Sequence, residues 1–357
     1  MQKYRNQVLA GLLFITVVLI AVVAITGVDA LGSRLGDFPL WVFAPVLGLK
    51  VLNWLLRYWE WRYFLGVIGV RTVRGETTPA EQAATIRERD SVILWLAGLT
   101  LSISPGKLAE VLKALVLKNL TGVEFSRSAP VIFMERLVDG VAVIILAAVS
   151  MLFIAGSLDA GDLSAGYVRA VLIGTTVALA IGVAVVEYRP LALWVLDRVQ
   201  GWPGVRRVAG PLRTLYDSSY ELLKLRHLIP TTLLGIGAYF TDCVGFYLIL
   251  RGLGVDGSPL LFGQTVFILG FSVIVAALSA MPGGAGGREL TIGAMLTGMV
   301  GLSKGDAGTA TFLISIFQVW AGVLLGLVVI ALFRRTLFPP ALEAELAAYE
   351  SAGQRAR

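Results

Sequence analysis

Three short stretches set ionisable side chains into sequence that is otherwise apolar: SISPGKLAE at 102–110, FMERLVDG at 133–140 and MPGGAGGRE at 281–289. In the first, Ser104 can cap a helix, Pro105 suits its first turn, and Gly106 lets another group approach the backbone. Lys107 and Glu110 then stand one turn apart. In the third, Gly283, Gly284 and Gly286 offer the same close approach ahead of Arg288 and Glu289. A helix that begins at such a break leaves its first N–H groups unpaired and presents roughly half a positive charge there. With Lys107 or Arg288 beside it, that end suits an anion.

The middle stretch is different, because Glu135 and Asp139 are four residues apart and Arg136 and Asp139 three. One helical face therefore carries a basic group between two carboxylates. A span starting near Ala129 puts Asp139 roughly 15 Å deep, where an unpaired charge costs about 2.5–3.5 kcal/mol, so burial inside the bundle is required. Bland readings stand beside these. Proline and glycine also make plain kinks in membrane helices, and Leu137–Gly156 alone can cross, leaving Glu135 and Arg136 as flanking charges. Lys50 and Asp242 interrupt apolar runs too; snorkelling or a helix-end position accounts for Lys50, and no partner is evident for Asp242.

The elements that must hold these groups are membrane helices. Hydrophobic residues make up 57% of the 357 residues and charged ones only 15%, and the mean hydropathy is +0.80, which no soluble surface accommodates. The first apolar run, Val8–Val28, follows Lys3 and Arg5 but is too long for a signal-peptide core and lacks an A-x-A cleavage site, so a retained anchor helix is expected. One cysteine and one histidine exclude an intramolecular disulfide and leave little for a histidine-rich metal site or a Ser-His-Asp centre. No metal, cofactor or catalytic residue is expected. The net charge of +6 fits cytoplasmic loops beside anionic lipid and does not call for nucleic acid.

Continuous spans are expected at 8–28, 39–56, 129–156, 167–187, 229–250 and 310–333, each near the ~20 residues that a crossing needs. Ser91–Ile103 is too short to cross and is followed, beyond the Pro-Gly break, by apolar Leu108–Leu120, which predicts a broken or re-entrant pair. Pro259–Ala280 and Leu290–Leu302 predict a second. Loop charges set the sides: 57–90 and 188–228 are rich in arginine and should be cytoplasmic, whereas 29–38 and 157–166 carry mostly aspartate and should lie outside. Consistency then requires the first hairpin to enter from the cytoplasm and the second from outside. The expected fold class is an all-α integral membrane bundle of two inverted repeats, about 1–156 and 167–337, each with a broken or re-entrant hairpin, followed by a short cytoplasmic tail at 338–357. Paired interruptions of this kind mark substrate sites in inverted-repeat transporters.

The three stretches in this order, preceded by RYWEWRYFL at 57–65, resemble the lysylphosphatidylglycerol synthase transmembrane family, also called the flippase-like domain, over nearly the whole chain. The family's S-x-S-P-G-K/R-x-x-E pattern falls on Ser102, Ser104, Pro105, Gly106, Lys107 and Glu110. Its E-R-x-x-D pattern falls on Glu135, Arg136 and Asp139, and its P-G-G-x-G-x-R-E pattern on Pro282, Gly283, Gly284, Gly286, Arg288 and Glu289. The resemblance implies translocation of an anionic phospholipid or polyprenyl-phosphate-linked lipid in a prokaryotic cytoplasmic membrane, with both termini cytoplasmic. It also implies a membrane lipid as partner; a second copy of the chain and a lipid-modifying enzyme or glycosyltransferase are the other candidate partners, and the sequence leaves the oligomeric state open. The segment after the last span is too short for the aminoacyl transferase domain of multiple peptide resistance factor, so the lysyl headgroup is not expected to transfer.

On this reading Lys107, Arg136 and Arg288 hold a lipid phosphate while the chains stay in bilayer. Glu110, Glu135, Asp139 and Glu289 orient those bases, contact a cationic headgroup, or carry a coupling proton. No G-x-x-x-x-G-K-[ST] motif is present, so transport is passive or ion-coupled unless a partner supplies ATP. Two other classes remain open, an intramembrane enzyme acting on lipid phosphates and an accessory subunit of a glycosyltransferase pathway.

Overall fold

The computed structural model describes residues 13, 16–24, 27–75, 84–101, 111–155, 219–279, 281 and 284–338, with isolated positions at 177, 190, 194, 197 and 198. The expected span at 167–187, the loop at 157–166, the break at 102–110, Pro282, Gly283 and the tail beyond Phe338 lie outside the described residues. What is described is almost entirely helical. Helix α1 covers Val28–Gly36, and α2 covers Phe43–Val67 after a 3-10 turn at Leu40–Val42. Two short parallel strands, β1 at Arg71–Val73 and β2 at Thr85–Arg87, precede α3 at Glu88–Leu101. Then follow α4 at Val111–Thr121, α5 at Phe125–Ala155, α6 at Leu225–Gly252, α7 at Pro259–Leu278, α8 at Gly287–Met299, α9 at Lys304–Ser315, a π-helical turn at Ile316–Trp320, α10 at Ala321–Leu332 and α11 at Arg334–Leu337.

Four of these segments are long and apolar enough to cross a membrane: Leu40–Val67, Leu225–Gly252, Pro259–Leu278 and Lys304–Leu332. The last comprises α9, the π turn and α10. At 31 residues α5 is longer than any of them. The protein is a polytopic all-α membrane protein. Two boundaries differ from the sequence expectation in a way that matters. Helix α2 does not stop at Leu56 but runs on to Val67, so Arg57 and Glu60 belong to the span and not to a loop. Helix α5 starts at Phe125, so Glu135 and Arg136 lie about 15 Å along it rather than at its edge. The expected outer loop at 29–38 is largely α1.

The helix ends collect into two groups. At one end Tyr63 meets His227, with Oη and Nδ1 2.9 Å apart, and Arg62 pairs with Glu88 at 2.9 Å. Arg89 sits over the Phe333 ring there. At the other end Arg34 pairs with Asp306 at 2.9 Å, and Phe38 packs beneath Gly252. Helices α2, α5, α6 and the α9–α10 segment each run from one end to the other.

The two expected hairpins do not carry the chain across. Helix α3 has 14 residues and α4 has 11, about 21 and 16 Å, short of the ~30 Å of a hydrocarbon core. Their outer ends meet, because Ala84 N–H, just before β2, donates to Thr121 O at the end of α4 (3.1 Å). The pair therefore enters and leaves at the same end. Helices α7 and α8 do likewise at the opposite end, where Gln264 Nε2 donates to Met299 O (3.0 Å).

Local sequence explains where the second pair starts and turns. Ser258 caps α7 by accepting from Leu261 N–H (2.9 Å), with Pro259 in the first turn. The return into α8 uses Gly284 and Gly286 at φ 71 and 86, a backbone that side chains with a Cβ rarely adopt. Helix α3 packs on α10 and α7 packs on α5. The first contact is close because Gly326 has no side chain: a Cβ there would fall 2.8 Å from Leu96 O.

Two large apolar clusters dominate the core among the described residues. One, around Trp61, Phe64, Leu94, Leu117 and Met134, lies toward the end that carries Tyr63 and His227. The other, around Val42, Phe246, Leu261, Ile268 and Ala310, lies toward the end that carries Arg34 and Asp306. Ionisable residues sit between them.

Candidate functional site

Helix α2 carries Lys50, Asn53, Arg57 and Glu60, offsets of three, seven and ten that return to one face of a 3.6-residue helix. That stripe is turned inward against α5 and α6.

At the start of the stripe, Lys50 donates to Asp242 on α6, with Nζ 3.1 Å from Oδ1 and 3.4 Å from Oδ2. Asn53 Nδ2 donates to Ala238 O (2.7 Å), fixing the same helix pair. Both members of the ion pair are buried. Neither a snorkelling Lys50 nor an unpartnered Asp242 describes this, and the correction is simple: each is the other's counter-ion.

One to two turns further along α2, Arg57 Nη1 donates to Asp139 Oδ1 (2.5 Å) while Arg136 Nη1 donates to Asp139 Oδ2 (2.9 Å). The guanidinium of Arg57 also lies over the Tyr239 ring, 4.7 Å from its centroid. The Arg136 side chain is 36% exposed and that of Arg57 20%, whereas Asp139 is sealed. Among the described residues of the stripe and its partners, these two bases keep the most exposed side chains, against 7% for Lys50 and Lys113.

Glu135 does not join that group. Its carboxylate accepts two bonds from Lys113 on α4, at 2.8 and 3.0 Å, and Lys113 Nζ stands 3.8 Å from the centroid of the Trp61 ring. Glu60, 2% exposed, lies within electrostatic reach of Asp139, Arg57, Glu135 and Arg136. The lower stripe is therefore one charged cluster drawn from α2, α4 and α5.

The third sequence stretch builds a separate corner. Glu289 reaches back to accept from Gly286 N–H (2.7 Å), closing the first turn of α8. Arg288 Nη2 donates to the other Glu289 oxygen (2.5 Å) and to Ser315 Oγ (3.2 Å). Ser315 in turn donates to Glu289 (3.0 Å). These groups line a small recess with Val18, Ala285 and Trp320. Arg288 is also within electrostatic reach of Lys50, so the recess continues the stripe. The π turn lies midway along the last span, beside this corner and against α2; such turns frequently occur at functional positions.

Of the residues singled out from sequence, Glu135, Arg136 and Asp139 lie in the lower cluster, and Arg288, Glu289, Gly284 and Gly286 form the recess. Ser102, Ser104, Pro105, Gly106, Lys107, Glu110, Pro282 and Gly283 are outside the described residues. Sequence reasoning missed Arg57, Glu60 and Lys113. The helical spacing of Lys50, Asn53, Arg57 and Glu60 was a usable signal for the first two; Lys113 offered none, since Lys118 makes α4 look like an ordinary basic flank.

No curated protein matches the chain. A family model described as the lysylphosphatidylglycerol synthase TM region matches residues 8–326, a stretch that contains both hairpins, the charged stripe and the recess. The protein therefore belongs to that family of membrane domains.

Proposed function

We propose that the domain moves an anionic lipid, a phospholipid or a polyprenyl-phosphate-linked lipid, from one leaflet to the other. The observation that carries this reading is the charged stripe: paired acids and bases line the interior from Lys113–Glu135 through Arg57–Asp139–Arg136 to Lys50–Asp242, within helices whose outer faces are apolar. Each ionic group at that depth is costly unless paired, so a continuous run of them marks a polar path. Arg136 and Arg57 are the partly exposed donors for a phosphate, and Arg288 extends the grip toward the turn into α8. The acyl or isoprenoid chains remain in bilayer. Opposed hairpins and their equivalent contacts, α3 on α10 and α7 on α5, support two inverted halves that rock about the stripe to give alternating access.

The reading is of a carrier, in keeping with the family of membrane domains to which the chain belongs. Purified protein in phosphatidylcholine vesicles with a trace of fluorescent phosphatidylglycerol should expose inner-leaflet probe to an external quencher faster than protein-free vesicles do. The recovered probe should keep its mass. No acceleration overturns the proposal, and an altered mass turns it into the lipid-phosphate enzyme.

The end bearing Arg62, Arg71, Arg74, Arg87, Arg89, Lys224, Arg226, Arg334 and Arg335 is read as cytoplasmic under the positive-inside rule. In a Cys243→Ser background, Lys304→Cys should react with an impermeant thiol reagent on intact cells, and Ser126→Cys should react only after lysis. The reverse pattern inverts the orientation.

A further inference from the structure

The lower cluster holds three bases and three acids: Arg57, Arg136 and Lys113 against Asp139, Glu135 and Glu60. The acids are not equivalent. Both Asp139 oxygens accept from guanidinium groups, and both Glu135 oxygens accept from Lys113. Glu60 is buried to the same degree, yet among the described residues no donor reaches its Oε1. A buried polar atom without a partner is rare and asks for a reason.

From this geometry we infer that Glu60 is the proton-binding residue of the carrier, and that loading it with a proton is coupled to taking up the lipid anion. The inference rests on the translocation reading and adds its coupling ion. A proton arriving from water forms an O–H bond at Oε1 without displacing any existing donor, whereas protonating Asp139 or Glu135 breaks a charge-assisted bond to an arginine or lysine. The groups that face Glu60 are Arg57 on its own helix and Glu135, Arg136 and Asp139 on α5; Lys113 on α4 stands behind Glu135.

Charge counting gives the consequence. With Glu60 ionised the six groups sum to zero; with Glu60 protonated they sum to +1. A cluster with one surplus positive charge in a low-dielectric interior attracts an anion, and its partly exposed bases, Arg136 and Arg57, are where a phosphate can add. Release of the proton on the other side restores neutrality and weakens the hold. Proton and lipid anion thus travel together as an electrically balanced load.

The test uses the full chain in phosphatidylcholine vesicles carrying fluorescent phosphatidylglycerol, with the translocation rate read with and without an imposed pH gradient. For the unmodified protein the gradient should change the rate several-fold. For Glu60→Gln the ratio of the two rates should be one, whatever the absolute rate. Infrared difference spectra between alkaline and acid buffer supply a readout that needs only folded protein: a carboxylic C=O band present in the unmodified protein should vanish in Glu60→Gln. Probe movement that ignores the gradient, an equal gradient response in Glu60→Gln, or an unchanged infrared band each overturns the assignment while leaving translocation intact. Absence of any probe movement by the unmodified protein removes the translocation reading and this coupling with it.

Discussion

Replacing Asp139 by alanine should destabilise the protein by about 3–5 kcal/mol, the cost of removing one partner from a buried ion pair. The effect belongs at the high end because Asp139 serves two cations, Arg57 and Arg136. Without it two guanidiniums face each other inside the bundle, and the nearby Glu60 carboxylate supplies one negative charge against two positive ones. Thermal denaturation in detergent should show a large fall in midpoint, together with poor yield. The double variant Arg57→Met, Asp139→Ala should recover part of that loss. It removes one stranded charge, and the remaining Arg136, 36% exposed, can extend its long side chain toward a more polar layer. If the double variant loses as much as the sum of the two singles, the residues are not coupled and the lower cluster is not the unit described above.

How much of this was legible beforehand can be judged at particular residues. The membrane class, the span at 229–250 and the short pair at 91–120 follow from apolar length alone, and the structure places α6 and α3–α4 within a few residues of them. Length is a local property, so a linear reading captures it. The end of α2 was misplaced because RYWEWRYFL carries two arginines and a glutamate, which look like a loop when each charge is assumed to face solvent. They are tolerated inside the span because Arg57 meets Asp139, 82 positions away. Asp242 finds Lys50 across 192 positions, and nothing in the neighbourhood of either residue announces the other. The Glu135–Arg136–Asp139 stretch was recognised, but its internal pairing was only half right: Arg136 does pair with Asp139, while Glu135 turns to Lys113 on another element. Charges in a membrane interior are assigned by the packing of helices, and local spacing says only that a partner must exist.

The two arginines of the middle and third stretches should separate function from stability. Arg136→Ala should slow translocation of an anionic lipid roughly ten- to a hundredfold, equivalent to losing one charge-assisted hydrogen bond of about 1.5–3 kcal/mol to the phosphate. Its effect on the thermal midpoint should be small. Asp139 keeps Arg57 as a counter-ion, and the Arg136 side chain is already partly exposed, so its removal leaves no buried acid alone. Arg288→Ala should instead lower both rate and midpoint, because Arg288 and Ser315 share one oxygen of Glu289 and that carboxylate then stays buried with its charge opposed only by hydroxyl and backbone donors. Arg136→Lys should retain more transport than Arg136→Ala but less than the unmodified protein, since an ammonium keeps the charge and loses the planar fork that binds phosphate through two bonds. Rates come from the vesicle assay and midpoints from detergent melts on the same preparations. An Arg136→Ala protein that moves the lipid at the unmodified rate removes this arginine from the path. One that melts as far down as Asp139→Ala shows that Arg136 is structural, and the exposed edge of the cluster is then not where the phosphate binds.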